Sequence, residues 1–150
     1  MANSYISLYV HIVFSTKRRQ ALINPDLQSR LWAYMGGIAR ENQIKALSIG
    51  GTADHVHVLL SLPTTSTVAK AVQLIKGGSS KWVHDTFEGL RKFAWQEGYG
   101  AFSVSASLLE ETIRYIGNQS EHHKRKTFQE EYVEFLRRYG IDYDERYVWG

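Results

Sequence analysis

One apolar stretch of the chain carries two histidines. Residues 54–62 read Asp-His-Val-His-Val-Leu-Leu-Ser-Leu, which predicts a β-strand with His55 and His57 among apolar residues. Side chains two residues apart on a strand point to the same face of the sheet, so the two imidazoles face one site. Buried ring nitrogens need partners, and such a pair can offer two neutral nitrogen ligands to one divalent metal ion. Short motifs of this kind also occur as hydrogen-bonded or exposed histidines, so the pair alone does not establish a metal site.

Tyr115 and Gln119 fall on a predicted helix further along the chain. The segment Ser107–Glu110 fits a capping box, with serine as the N-cap, and predicts a helix that runs to His123. At ~100° per residue, one apolar stripe forms along this helix. Its members are Leu109, Ile113 and Ile116. Tyr115 and Gln119 lie away from that stripe and one turn apart, so the two side chains can face one site.

Together these features resemble the single-tyrosine HUH transposases of the smallest insertion sequences, the IS200-like transposase family. The likeness runs through nearly the whole chain. The matching segments are Tyr9–Lys17, Asp54–His57, Lys76–Lys81 and Tyr115–Gln119. The resemblance implies the HUH endonuclease fold, with Tyr115 as the nucleophile. It also implies that a divalent metal ion, Mg²⁺ or Mn²⁺, is held by His55, His57 and Gln119.

The same resemblance implies a DNA transposase that cleaves and rejoins single-stranded DNA at the ends of an insertion sequence. The intermediate would be a 5′-phosphotyrosine, and the protein would recognise DNA hairpins. It would act as a homodimer in which the tyrosine helix of one subunit completes the metal site of the other. Free tyrosine has a pKa near ~10, so a group must help to remove its proton. Glu111, His122 and the metal ion are candidates by position only.

Composition is consistent with a small cytoplasmic enzyme. The chain of 150 residues is 43% hydrophobic, and we expect it to form a single domain over residues 1–150. It has no cysteine, which excludes disulfides, cysteine-ligated zinc and thiol catalysis. No apolar run approaches the ~20 residues that cross a bilayer. We therefore expect a cytoplasmic protein, associated with the nucleoid when it acts on DNA, with no membrane partner and no organic cofactor.

Basic residues are clustered, although the net charge is only +3. Each cluster can neutralise phosphates of DNA, and each alone is equally consistent with a solvated surface. The candidate DNA-binding residues are Lys17, Arg18, Arg19, Lys76, Ser79, Lys81, Lys124, Arg125 and Lys126.

The order of predicted elements is β-α-β-β-α-β, which is typical of an α+β ferredoxin-like, or RRM-like, antiparallel sheet. C-terminal helical material that carries the tyrosine extends this fold. The predicted strands cover residues 5–14, 44–49, 54–62, 93–96 and 101–104. The predicted helices cover residues 25–41, 67–87, 107–123 and 128–139, the first with Asn24 as N-cap. His11 is consistent with a place near the site or with a satisfied sheet histidine, and we expect the second. We expect the aromatic segment 142–149 to pack on the domain or on a partner subunit.

Three other functions are consistent with the sequence. A domesticated relative would use the same residues on chromosomal hairpins. A non-catalytic nucleic-acid-binding module would stack bases of DNA or RNA on Tyr5 and Tyr9, which alternate on one face of the first strand. A metal-dependent phosphodiesterase would use water as its nucleophile and would not depend on Tyr115.

Overall fold

Four strands form one antiparallel sheet in the computed structural model, which describes residues 4–150. The strands are β1 (Tyr9–Ser15), β2 (Lys45–Gly51), β3 (His55–Ser61) and β4 (Gly100–Val104). Their order in the sheet is β2-β3-β1-β4, with β3 and β1 at the centre. With helices α1 (Pro25–Glu41) and α2 (Val68–Thr86) as the two crossovers, this is the ferredoxin-like α+β topology that the sequence predicts.

The helices begin where polar side chains cap them. Asn24 accepts a hydrogen bond from the backbone of Leu27 and starts α1 as predicted, while Thr67 accepts one from Lys70 and starts α2. The remaining helices are α3 (Leu109–Gly117), α4 (Gln119–His122) and α5 (Phe128–Arg138). Short 3-10 turns cover Lys17–Arg19, Glu88–Leu90 and Ala106–Leu108.

Two predicted strands are shorter than expected. The first begins at Tyr9 and not at residue 5, because both of its neighbours end opposite Tyr9, at Ser61 of β3 and Val104 of β4. Leu8 still accepts a hydrogen bond from the backbone of Leu62, but the ladder ends there, and Tyr5 is 96% exposed. The predicted strand at 93–96 is reduced to an isolated bridge between Thr16 and Trp95.

The predicted tyrosine helix is divided into two. Ser107 does not cap it; this residue lies in a 3-10 turn, its hydroxyl 3.1 Å from that of Ser105, and α3 begins at Leu109. The helix ends before Asn118, whose backbone (φ −103°, ψ 23°) leaves the helical region, and α4 follows. Of the predicted apolar stripe only Ile116 is buried, because α3 touches the sheet along the edge strand β2.

Different helices cover the two faces of the sheet. One face packs on α1 and α2 through buried apolar side chains such as Phe14, Val58, Leu31 and Ile75. The opposite face packs on α5 through a smaller group, called the aromatic cluster below. It consists of Val13, Phe102, Phe128, Tyr132, Phe135 and Leu136. Val13 pairs directly with His57 across β1 and β3, so the histidines lie on the face that α5 covers.

The C-terminal residues pack on the fold, as predicted. The Trp149 ring lies 5.9 Å from that of Tyr132, and the Arg19 guanidinium lies 5.2 Å from the Trp149 ring. The Gly150 carbonyl accepts hydrogen bonds from the backbone of Gly98 and the side chain of Gln96. These contacts hold the last residues against the same side of the sheet as α5. Across residues 4–150, no helix combines the length and the apolar character that spanning a membrane requires.

We expect Gly50→Ala to destabilise the protein by about 1–3 kcal/mol, because a methyl group there would lie 2.6 Å from the backbone oxygen of Ile116 and α3 would have to shift. Gly77→Ala is the matched control, since nothing lies within 4 Å of its added carbon and it sits within α2. That substitution should stabilise the chain by about 0.4–1 kcal/mol. Urea unfolding measures both, and equal effects would contradict the close approach of α3 to β2.

Candidate metal centre and nucleophile

His55 and His57 are fully buried on β3, and their Nε2 atoms point to one place under α5. The Nε2 atom of His55 lies 2.9 Å from Oε1 of Gln119, and that of His57 lies 3.0 Å from Oε1 of Glu131. The predicted pair therefore shares one site. Gln119, the first residue of α4, lies at the same place, and its role as a metal ligand stays a prediction.

The opposite nitrogen of each ring has a partner of its own. Nδ1 of His55 donates to the Asp54 carboxylate at 2.8 Å, and the hydroxyl of Thr52 lies 3.0 Å from the same nitrogen. Nδ1 of His57 lies 2.8 Å from Nε2 of His11, so His11 belongs to the site and is more than a satisfied sheet histidine. A ring that donates from Nδ1 keeps a free electron pair at Nε2, which is how histidine is oriented toward a metal ion.

Four side chains form a potential ligand set at this place. They are His55, His57, His123 and Glu131, whose ligand atoms all lie within 4.8 Å of one another. The amide oxygen of Gln119 adds a fifth donor beside His55. Nε2 of His123 is buried without a hydrogen bond, although Oε1 of Glu131 lies 3.2 Å away. Electron-pair donors that converge in this way need a cation, so the residues fit a divalent metal ion.

Burial and neighbouring charges shift the pKa values of the side chains in the site. Burial lowers the pKa of His57, and it lowers the pKa of His11 to about 3, so both rings are neutral as metal ligation requires. Burial alone would raise the pKa of Glu131. Contacts from His123 and His57 outweigh it, and the pKa of Glu131 lies well below its usual range. The carboxylate is therefore ionised beneath α5.

Tyr115 places its hydroxyl beside this cluster. The hydroxyl donates a short hydrogen bond to Oε2 of Glu131, and Nε2 of His122 lies 3.3 Å away. Burial and the negative charge of Glu131 both raise the pKa of Tyr115, so the metal-free tyrosine is protonated. Tyr115 faces away from Ile116, as predicted, but its ring packs on the aromatic cluster, 6.0 Å from Phe135.

Glu131 and the ligand position of His123 were not predicted from the sequence. A signal for Glu131 is nevertheless present, because the buried face of α5 reads Phe128, Glu131, Tyr132 and Phe135. A glutamate is seldom fully buried unless it has partners, so one within an aromatic helical face marks a functional position.

Two clefts open at Tyr115. One, of about 260 Å³, is lined by His11, Glu111, His122 and Glu131 among others, and so contains both side chains considered as proton acceptors. The other is a wider groove that runs over Asn118 and Glu121. Its remaining lining includes the predicted basic residues Lys124, Arg125 and Lys126. The structure thus brings one predicted DNA-binding cluster to the tyrosine.

The other predicted DNA-binding residues lie elsewhere. Lys76, Ser79 and Lys81 are on α2, which covers the opposite face of the sheet from Tyr115. The Lys76 ammonium donates to the three carbonyl oxygens of residues 96–98, and the buried Ser79 hydroxyl accepts from the Trp95 indole. Lys17, Arg18 and Arg19 form the 3-10 turn after β1. Their contact with DNA stays a prediction.

A ferredoxin-like sheet that carries an HUH-type histidine cluster beside a tyrosine is the arrangement expected of a single-tyrosine DNA transposase. A family model described as "Transposase IS200 like" matches residues 4–119, and the chain belongs to this family. The match ends at Gln119, so His123 and Glu131 lie beyond it.

Two relatives with similar sequences are also named as transposases. The ISDra2 transposase TnpA of Deinococcus radiodurans is 24% identical over 119 residues, covering 76% of this chain and 85% of the relative. The transposase for insertion sequence element IS200 of Salmonella typhimurium is 27% identical over 120 residues, covering 76% and 78%.

Solved structures share the fold. A putative transposase from Deinococcus radiodurans superposes with a TM-score of 0.67 at 22% identity, covering 79% of this chain and 95% of the other. A REP-associated tyrosine transposase, solved bound to a REP hairpin, superposes with a TM-score of 0.59 at 16% identity, covering 82% and 73%.

We expect Asp54→Ala to weaken Mn²⁺ binding about 10- to 100-fold, because the Nδ1 partner that orients His55 is lost. Asp85→Ala is the control, since Asp85 is an exposed carboxylate paired with Lys81 on α2. Isothermal titration calorimetry on the DNA-free protein measures both affinities. Wild-type affinity in the Asp54 variant would show that this carboxylate does not orient the ligand.

Proposed function

We propose that this protein cleaves and rejoins single-stranded DNA at the ends of an insertion sequence, through a 5′-phosphotyrosine intermediate. The observation that carries this proposal is the Tyr115 hydroxyl, which lies against the buried histidine and glutamate cluster. Membership of the IS200-like transposase family supports the reaction class. A nucleophile and a potential metal site that adjoin in this way suit attack on a phosphodiester.

The reaction is a transesterification at phosphorus. The Tyr115 oxygen forms a bond to the scissile phosphorus while the bond from phosphorus to the 3′ oxygen breaks. The phenolic proton leaves the tyrosine, and the departing strand ends in a free 3′-hydroxyl. Because the phosphotyrosine keeps a phosphodiester, a 3′-hydroxyl from another end can reverse the step and join to it. Recombination needs this reversal, which hydrolysis does not allow.

The residues that hold the ion are proposed to be His55, His57 and Gln119. When bound, the ion would withdraw charge from the non-bridging phosphate oxygens and fix their orientation. The family resemblance implies Mg²⁺ or Mn²⁺, and imidazole ligands favour Mn²⁺ of the two. His11 and Asp54 hold the two histidine rings, so the donors are in place before an ion arrives.

Single-stranded DNA with hairpin ends is the proposed partner. The basic groove formed with Lys124, Arg125 and Lys126 leads to Tyr115 and suits a phosphate backbone. Residues 1–150 are proposed to act as one domain, since α5 and the ferredoxin-like sheet bury a common cluster. A homodimer is part of the proposal, although Tyr115 reaches the histidine cluster of its own chain. We further propose that the protein works in the cytoplasm, at the nucleoid.

Base stacking on the first strand is less well supported. Tyr5 lies outside β1 and Tyr9 is its first residue, so the two tyrosines do not share a strand surface. A domesticated relative and a water-dependent phosphodiesterase remain consistent with the same histidine cluster.

We expect Tyr115→Phe to abolish covalent attachment to DNA, lowering adduct formation by at least ~10³-fold, because the nucleophile is removed. Single-stranded oligonucleotides that cover the DNA flanking the gene are incubated with Mg²⁺ or Mn²⁺ and run on a denaturing gel. Wild type should give a protein-DNA adduct that requires the ion. Tyr147→Phe, at a tyrosine that is 71% exposed, should behave as wild type.

Two results would contradict the proposal. Cleavage that survives in the Tyr115→Phe variant would identify water as the nucleophile and the protein as a phosphodiesterase. Hairpin binding by wild type without cleavage of either flanking strand would identify a non-catalytic, domesticated descendant.

A further inference from the structure

Glu131 has a different role at each of its carboxylate oxygens. Oε1 faces the histidines, 3.0 Å from Nε2 of His57, 3.2 Å from Nε2 of His123 and 3.5 Å from Nε2 of His55. Oε2 faces the other way and accepts the hydrogen bond of the Tyr115 hydroxyl. Glu131 therefore contacts both the histidines of the ligand cluster and the tyrosine oxygen, and Nε2 of His122 lies 3.5 Å from the same Oε2.

The fold places Glu131 firmly. A capping box between Thr127 and Glu130 starts α5 one turn before it, and Phe128 and Phe135 anchor the helix in the aromatic cluster on either side. The residue is 1% exposed, so its carboxylate cannot turn to solvent. A buried carboxylate is costly unless it is fully partnered, and the two oxygens find all their partners inside the site.

We propose that Glu131 is a bridging residue that joins the metal ion to the nucleophile. Its Oε1 joins His55, His57, Gln119 and His123 in the ligand set, while its Oε2 holds the Tyr115 oxygen. This inference rests on the proposed function, and it adds two residues from beyond the region that the family model matches.

A carboxylate is suited to this role in a way that an amide is not. Both of its oxygens accept, so one can ligate an ion while the other takes the tyrosine hydrogen. Glutamine has one acceptor oxygen and an NH₂ group that only donates, so Glu131→Gln must lose one of the two contacts. Aspartate keeps the charge but is one methylene shorter. Glu131→Asp therefore cannot reach both the ion and Tyr115 from α5.

Metal binding by the DNA-free full-length protein is the first measurement. Mn²⁺ titrated into wild type should bind at least about tenfold more tightly than into Glu131→Gln or Glu131→Asp, because a ligand is lost or displaced. Glu134→Gln is the matched control, since Glu134 lies one turn further along α5 and pairs with Lys126 at the surface. That variant should bind Mn²⁺ as wild type does. Unchanged affinity in both Glu131 variants overturns the proposal.

The contact with the nucleophile is tested by fluorine NMR on protein labelled with 3-fluorotyrosine. The Tyr115 resonance is the one that disappears in the Tyr115→Phe variant. In wild type it should be the first to broaden as Mn²⁺ is added, and in metal-free Glu131→Gln its shift should move. The bridging role is overturned if the Tyr115 resonance broadens no earlier than that of exposed Tyr147. It is also overturned if the chemical shift of Tyr115 is the same in wild type and in Glu131→Gln. A cooperative thermal unfolding transition shows that each variant is folded. If Glu131→Gln is not folded, the shift of the Tyr115 resonance is measured in Glu131→Asp instead.

Single-turnover cleavage at saturating Mn²⁺ completes the test. With the ion supplied in excess, a bridging role predicts a rate at least about tenfold below wild type for Glu131→Gln, with unchanged oligonucleotide affinity. A wild-type rate under these conditions would show that Glu131 acts only as a metal ligand, and it would overturn the bridging role. If the wild-type protein forms no adduct at all, the proposed function fails, whereas the Mn²⁺ and fluorine measurements still decide the role of Glu131.

Discussion

The contact between the ionised carboxylate of Glu131 and the histidines beside it is the interaction on which the site depends. A charge in that position needs partners on every side, and these come from β3, from α3 and from the turn after α4. Phe128 and Phe135 of the aromatic cluster anchor α5 on either side of the carboxylate, which also lines the cleft at Tyr115. Apolar packing and the polar site are therefore parts of one arrangement, and a change in either disturbs the other.

The two faces of the sheet carry different kinds of core. The face under α1 and α2 carries the larger apolar core. The opposite face carries three histidines within a smaller core, where each polar group must find a partner inside the protein. A ferredoxin-like sheet suits such a division, because successive residues of its central strands belong to different layers.

Much of this architecture could be predicted from the sequence, because its signals are local. The apolar run around His55 and His57 predicts their strand, Asn24 predicts the start of α1, and helical spacing places Tyr115 one turn from Gln119. The break at Asn118 and the true start of α3 depend on how the chain meets the edge of β2, which no local pattern encodes. The sequence pattern predicts a capping box at Ser107, whereas the structure forms one at Thr127. Glu131 joins the site only because α5 folds back across the sheet.

The position of α5 in the chain has a consequence for biosynthesis. Translation proceeds from the N-terminus, so the histidines and the tyrosine leave the ribosome before the Glu131 carboxylate that contacts them. Until α5 docks, the emerging chain exposes one apolar face of its sheet and lacks the carboxylate of the site. A nascent chain that is still attached to the ribosome therefore lacks a complete site. The site can form only after α5 has been synthesised.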